Sequence, residues 1–296
     1  VKRIILLCLC IVPLLAISGE DYTWWNILHG WKPGMPGWRS YLIISPGYMG
    51  PNSLPVPEVK KGIVKGGNNI EFGFDCHFMK GDPTQDIFAK YYRSFAENRI
   101  AIEVYGVIVE HYAMSATIRD ERFARDFDGK GFTNGDIYFT TLIQVIKGKK
   151  FPDTMFRMAC RTASGNQLDA ARYTDSPGYF FDMSFSKEYE GNNEKMSFLP
   201  FASVGFHSWQ INDEINVQND AYMYGIGGEF NWSRWSITNS LSGYSGYKKT
   251  HDKPMVYTVD LSHAFRHQTI RLQYLNGLRD WKYQTIRLSL IVDLKK

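Results

Sequence analysis

From residue 70 onward the chain repeats one pattern: about ten residues of alternating apolar and polar side chains, then a turn signal. Ile70, Phe72, Phe74, Cys76 and Phe78 share one parity, and Glu71, Gly73, Asp75 and His77 the other. Near the carboxyl end Ile286, Leu288, Leu290 and Val292 oppose Thr285, Arg287, Ser289 and Asp293. Tyr222, Tyr224, Ile226, Phe230 and Trp232 likewise oppose Gly225, Gly227, Glu229 and Asn231, and Phe181, Met183 and Phe185 oppose Asp182, Ser184 and Ser186. A period of two is what a pleated strand lying between two different media requires. The pattern predicts twelve strands, over 70–80, 86–95, 99–111, 135–147, 153–163, 179–188, 196–210, 220–232, 234–247, 254–266, 268–277 and 282–294.

A soluble sandwich also alternates, but it has no reason to sort its connections by length. Here those after even strands are short (96–98, 148–152, 189–195, 233 and 267), whereas most after odd strands are longer, notably 112–134, 164–178 and 211–219. Outer-membrane barrels have short periplasmic turns and long external loops. The prediction is therefore an all-β, transmembrane antiparallel barrel of twelve strands over 68–296, in the outer membrane, with both mature termini periplasmic. Aromatic residues gather near strand ends: Tyr91, Tyr92, Tyr179, Phe180, Phe181, Trp209, Tyr222, Trp232, Trp235, Tyr244, Tyr247 and Trp281. They are expected to form belts at the lipid–water boundary.

The first 67 residues differ. Lys2 and Arg3 precede an apolar run over 4–17, and Ala16-Ile17-Ser18 gives a small-x-small site, so 1–18 reads as a cleaved export signal. Residues 19–67 hold Trp24, Trp25, Trp31 and Trp38 and a Pro/Gly-dense stretch over 45–57. Prolines cannot serve a central ladder. This part is expected to be a plug, a cap at the periplasmic mouth or a periplasmic segment. Net charge is +4, two of it from Lys2 and Arg3, and no nucleic-acid, Walker or dinucleotide motif appears. Cys76 and Cys160 lie on the apolar side of distant strands and read as two free thiols.

Inward parity assigns Glu71, Asp75, Glu103, Asp182, Glu229 and Asp260 to the lumen, with Arg157, Arg161, Arg271, Arg287, His77 and His207. Opposed charges can pair across a narrow barrel, either as a charged constriction for small polar solutes or as salt-bridged filler. The loop over 118–136 concentrates charge, including Arg119, Asp120 and Arg122, and is expected to pair within itself. The loop over 162–177 adds Arg172 and Asp175. Both are expected to be solvated. Asp126, Asp128 and Asn134 partly mimic a calcium loop, although Lys130 sits where another oxygen is wanted and no Glu closes it. No motif calls for any other cofactor.

The strings "GYMGPNSLPVPE" (47–58), "RDERFARDFDGKGFTNGDIY" (119–138), "RTASGNQLDAARYTDSPGYFFDMSF" (161–185) and "WQINDEINVQNDA" (209–221) resemble outer-membrane barrels of Bacteroides-type Gram-negative bacteria. That resemblance covers the mature chain and implies the fold and location, with outer-membrane lipid and the barrel assembly machinery as partners; no functional residues carry over from it. Such barrels usually end in an aromatic signal, whereas this chain ends in Leu294 and two lysines, which leaves the alternation over 286–294 to serve assembly. Phe132-Thr-Asn-Gly135 also looks like an element of the lipid A 3′-O-deacylases, metal-dependent twelve-stranded hydrolases, and His111 and Asp126 would be its base and metal ligand. The expectation is a pore or binding protein for small polar solutes, with a lipid hydrolase and a structural or adhesive barrel as alternatives.

Overall fold

A computed structural model describes residues 21–148, 150–191, 196–212 and 215–294. The export-signal reading falls outside them. The chain divides into two compact units, 1–35 and 36–296. In the first, helix α1 (Thr23–His29) begins where the Asp21 carboxylate accepts from the Thr23 N–H at 2.9 Å, and ends at Gly30 in the left-handed conformation.

In the second unit twelve long strands, among the described residues, close into a barrel. They are β1 (Asn68–Phe78), β2 (Thr84–Phe95), β3 (Ile100–Ala113), β5 (Ile137–Ile146), β6 (Asp153–Arg161), β7 (Gly178–Ser186), β9 (Met196–Gln210), β10 (Gln218–Trp232), β11 (Trp235–Gly246), β12 (Met255–Ala264), β13 (Gln268–Arg279) and β14 (Gln284–Asp293). Two short strands, β4 (Lys130–Thr133) and β8 (Tyr189–Glu190), extend β3 and β9. All neighbours are antiparallel, and β14 returns to β1 with Asn69 opposite Asp293 and Phe78 opposite Gln284. Closure gives each of these twelve strands a partner on both sides, which removes the open edges of the barrel sheet. The twelve strands coincide one for one with the twelve alternating runs.

Parity decides the faces. Phe72, Phe74, Leu272, Leu288 and Leu290 point outward and are exposed, while Glu71, Asp75, His77, Thr285 and Ser289 are buried inside. Cys76 and Cys160 are free thiols on the outer face. Bulges interrupt the rule near the end of β5, at Val145, near the end of β13, at Leu278, and within β3, where the change reaches the lumen. A bulge in β3 sets Ile87 opposite Val109 but Phe88 opposite Val107, leaving Ile108 unpaired and exposed. The extra residue switches parity beyond it, so Glu110 and Tyr112 face inward and His111 outward.

The interior is filled by the chain itself. Residues 38–67 start at the mouth carrying the long loops, where Arg39 pairs with Asp175 at 2.7 Å and the Arg39 carbonyl accepts from the Asn212 side chain at 3.2 Å. They run down the lumen and reach the short-turn mouth, where the Gly67 N–H donates to Ser94 Oγ at 2.9 Å. A non-regular backbone at this depth needs its polar groups satisfied by protein, and side chains of the barrel wall meet several of them. Trp209 Nε1 donates to the Ile44 carbonyl at 3.3 Å, Trp281 Nε1 to that of Pro51 at 3.1 Å and the Tyr244 hydroxyl to that of Leu54 at 2.9 Å. Arg157 Nη1 donates to the Glu58 carbonyl at 2.9 Å, and the Gln144 side chain bridges the Gly62 carbonyl and the Val64 N–H at 2.9 and 2.7 Å. Pro51, Pro55 and Pro57 carry no N–H and so reduce the number of donors to be matched. Gly225 makes room, since a Cβ there would meet Val59 at 2.6 Å.

One expectation is corrected by this path. Trp209, Tyr244, Trp281 and Phe180 belong to no lipid belt; they are buried, and the first three hold the threaded segment by their polar tips. Within the second unit the threaded segment begins at the long-loop mouth, and the last described residue, Leu294, lies at the short-turn mouth, where its N–H donates to the Asn68 carbonyl.

Candidate functional site

The lumen holds three tiers of charge. Nearest the short-turn mouth, Glu71 pairs with Lys90 at 2.7 Å and with Arg271 at 3.3 Å, and Arg271 also binds Asp260 and Glu58. Lys60 of the threaded segment meets Glu103 at 2.7 Å, and Lys61 meets Glu229. In the middle, Arg157 pairs with Asp182 at 2.6 Å, and Arg161 donates to the carbonyls of Ser53 and Ser176. His207 packs between Trp209 and Tyr244, with ring centroids 4.9 and 5.0 Å away.

The tier under the long loops is the densest. Arg172, fully buried, donates to Glu110 at 2.7 Å, to both Asp82 oxygens at 2.9 and 2.8 Å and to Thr84 at 2.9 Å, and its guanidinium lies 5.0 Å over the Tyr112 ring. Gly50 is required beside it, since a Cβ there would stand 2.7 Å from the guanidinium carbon. Arg122 donates to Asp82 at 2.7 Å and to the Tyr283 hydroxyl at 2.9 Å, while Tyr173 donates to Glu110 at 3.0 Å. Asn52 of the threaded segment bridges Asp86 and Glu110 at 2.7 and 2.8 Å. Below them Arg287 grips Asp75, with Nε 2.7 Å from Oδ1, and His77 Nε2 lies 2.7 Å from Asp86.

Burial by itself would raise the Asp82 carboxyl, but the Arg172 and Arg122 charges outweigh it and hold the group at about 2, against an ordinary 3.8. A folded-state value below the unfolded one stabilises the charged form. The Asp82 pairs therefore contribute in full above about pH 4 and are lost as pH falls through about 2. Urea midpoints measured from pH 5 down to pH 2 should drop less steeply in Asp82→Asn than in the unsubstituted protein. Equal slopes would remove Asp82 from the account.

The predicted lumen residues Glu71, Asp75, His77, Glu103, Arg157, Arg161, Asp182, His207, Glu229, Asp260, Arg271 and Arg287 all face inward. They divide among these tiers rather than forming one constriction. The loop residues diverge. Arg119 stays near the loop surface against Asp120 at 2.8 Å, and Asp175 is taken by Arg39. Arg122 and Arg172, expected in solvent, fold back into the lumen, because Asp82 and Glu110 are otherwise buried without counter-charge. Helix α2 (Ala116–Glu121), with Ser115 accepting from the Ile118 N–H, shapes the first loop.

The calcium-like set does not converge. Asp126 accepts from the Tyr112 hydroxyl at 2.9 Å, Asn134 donates to the Ser164 carbonyl at 2.7 Å and Asp128 is exposed. His111 and Asp126 do not meet either: His111 faces out toward Gln85, at 3.0 Å, while Asp126 sits with inward-facing Tyr112. Asp82, Asp86, Lys90, Glu110, Lys60 and Lys61 are members that sequence parity missed. Asp86 and Lys90 share the inward parity of β2, which Phe88 between them obscures.

Spaces remain beside the threaded segment. A cavity of about 190 Å³ lies beside it, lined by Phe88, Tyr105, Tyr138, Val256, Leu275 and Trp281 among others. An open vestibule of about 490 Å³ at the short-turn mouth is lined by Lys65, Lys90, Tyr92, Asn231, Arg234 and Asp293 among others.

No protein-family model matches the chain, and no curated protein matches it. Its fold is that of bacterial outer-membrane barrels. It is similar to an outer-membrane channel from Pseudomonas putida F1, at 11% identity and a TM-score of 0.54, over 81% of this chain and 100% of that one. It is also similar to KdgM porin, at 9% identity and a TM-score of 0.47, over 76% of this chain and 99% of that one. The transport unit of the autotransporter AIDA-I from Escherichia coli matches at 7% identity and a TM-score of 0.47, over 83% of this chain and 95% of that one.

Proposed function

We propose that the protein is an outer-membrane barrel that passes or binds small polar solutes, and that its own segment over 44–67 is the plug controlling access. The chain then sits with the Bacteroides-type barrels its loops resemble, long loops outward. The observation that carries it is how the segment is held. Its upper part, over 44–54, is clamped by buried tryptophan, tyrosine and arginine donors. Its lower part depends on ion pairs, Glu58 with Arg271, Lys60 with Glu103 and Lys61 with Glu229, beside the open vestibule. Charged partners of that kind can be exchanged for water or a polar solute, whereas apolar packing cannot. A charged, two-signed lining suits a small polar solute over an apolar one.

Single-channel recording in planar bilayers tests the plug. The unsubstituted protein should open rarely and briefly. The double variant Lys60→Glu, Lys61→Glu sets like charges against Glu103 and Glu229, and should raise the open fraction on the order of tenfold or more, since breaking one such pair costs several kcal/mol. Steady conductance in the unsubstituted protein, or no difference between the two, would show that the segment does not control access.

A further inference from the structure

On the inner wall beneath the long loops, two aspartates face one another across adjacent strands. Asp75 of β1 is directly opposite Asp86 of β2, and His77 lies two residues along β1 on the same face. One donor atom from each of the three lies within 4.8 Å of the others. The side chains are 0%, 2% and 3% exposed for Asp75, Asp86 and His77. His77 Nδ1 lies 2.6 Å from the Thr285 hydroxyl, which directs Nε2 toward Asp86 Oδ2 at 2.7 Å, with Asp75 Oδ2 at 4.0 Å.

Beyond these hydrogen bonds, Asp86 Oδ1 is buried and has no hydrogen-bond partner among the described residues, a state that calls for a water or an ion.

We infer that Asp75, His77 and Asp86 form a site for one divalent transition-metal ion of the zinc class. One imidazole nitrogen with carboxylate oxygens is a zinc-type donor set, whereas calcium takes six to eight oxygens. Outer partners that orient such ligands are in place: Thr285 on His77, Asn52 on Asp86 at 2.7 Å and Arg287 on Asp75 at 2.7 Å. His77, Thr285 and Arg287 also line the cavity of about 190 Å³, so a remaining coordination position has access to it. The site lies where Asn52 of the threaded segment reaches the wall, and the metal would strengthen that attachment.

The test is cobalt(II) titration of the folded, untagged barrel in detergent, followed by zinc competition and metal analysis after dialysis. Cobalt should give visible d–d absorption that saturates at one ion per chain and is displaced by zinc. His77→Ala and Asp86→Asn should each weaken binding about 100-fold or more. Asp86→Asn keeps the shape of the side chain, and heat-modifiable gel mobility establishes that each variant is folded. Absence of saturable binding to the folded, unsubstituted barrel would overturn the site. So would undiminished binding in both folded variants, since the metal would then sit on other groups.

Discussion

Arg172→Met should lower the unfolding free energy of the barrel by about 3–5 kcal/mol, the cost of breaking a buried ion pair from one side. The size follows from what is left behind. Asp82 and Glu110 would keep their charges with no solvent, and Thr84 and the Tyr112 ring would lose their partner. Arg172→Lys should not restore stability, because an ammonium cannot address Asp82, Glu110 and Thr84 in one plane. Removing the orphaned charges should help more: Glu110→Gln in the Arg172→Met background is expected to recover part of the loss. Urea titration in lipid vesicles reads all three. An Arg172→Met barrel as stable as its parent would mean that the loop is not anchored in the lumen.

Leu288→Arg should cost about 2–4 kcal/mol, the range for a cation at the midplane of a lipid-facing strand. Leu288 is 56% exposed, and its cross-strand neighbours are Phe74 on β1 and Leu272 on β13, so an apolar stripe continues through it on both sides. Leu288→Ala removes side chain without adding charge and should cost clearly less in the same titration. If the two variants lost equal stability, the outer face would not be in contact with hydrocarbon. Ser289, one residue along, is the opposite environment: buried, with Gly73 and Arg271 opposite it in the two neighbouring strands. A one-residue slip of β14 would exchange the two.

The loops were the least legible part of the chain. "RDERFARDFDGK" and "NQLDAARYTD" read as polar surface because nothing local separates an arginine in water from one bent back into a barrel. Arg122 and Arg172 go inward only because Asp82, on the β1–β2 connection, and Glu110, beyond the β3 bulge, present buried carboxylates to them. Glu110 itself was hidden by that bulge, since strict alternation from Glu103 places it outside. Lys60 and Lys61 sat in a proline-rich stretch with no period, so no parity could assign them a side.

The twelve strands were determined by the sequence alone, and so were their inner and outer faces wherever the alternation runs unbroken. A strand between lipid and a polar interior needs a period of two, and that period is a property of neighbouring residues; Phe74 against Asp75 and Leu288 against Arg287 already state it. The tertiary structure alone decided what fills the interior. Whether Trp209, Tyr244 and Trp281 face lipid or hold a segment inside depends on carbonyls contributed by Ile44, Leu54 and Pro51, between 165 and 230 residues away along the chain. Contacts at that separation leave no local signature, because burial and hydrogen-bond satisfaction are settled only when the barrel closes around its own amino-terminal segment.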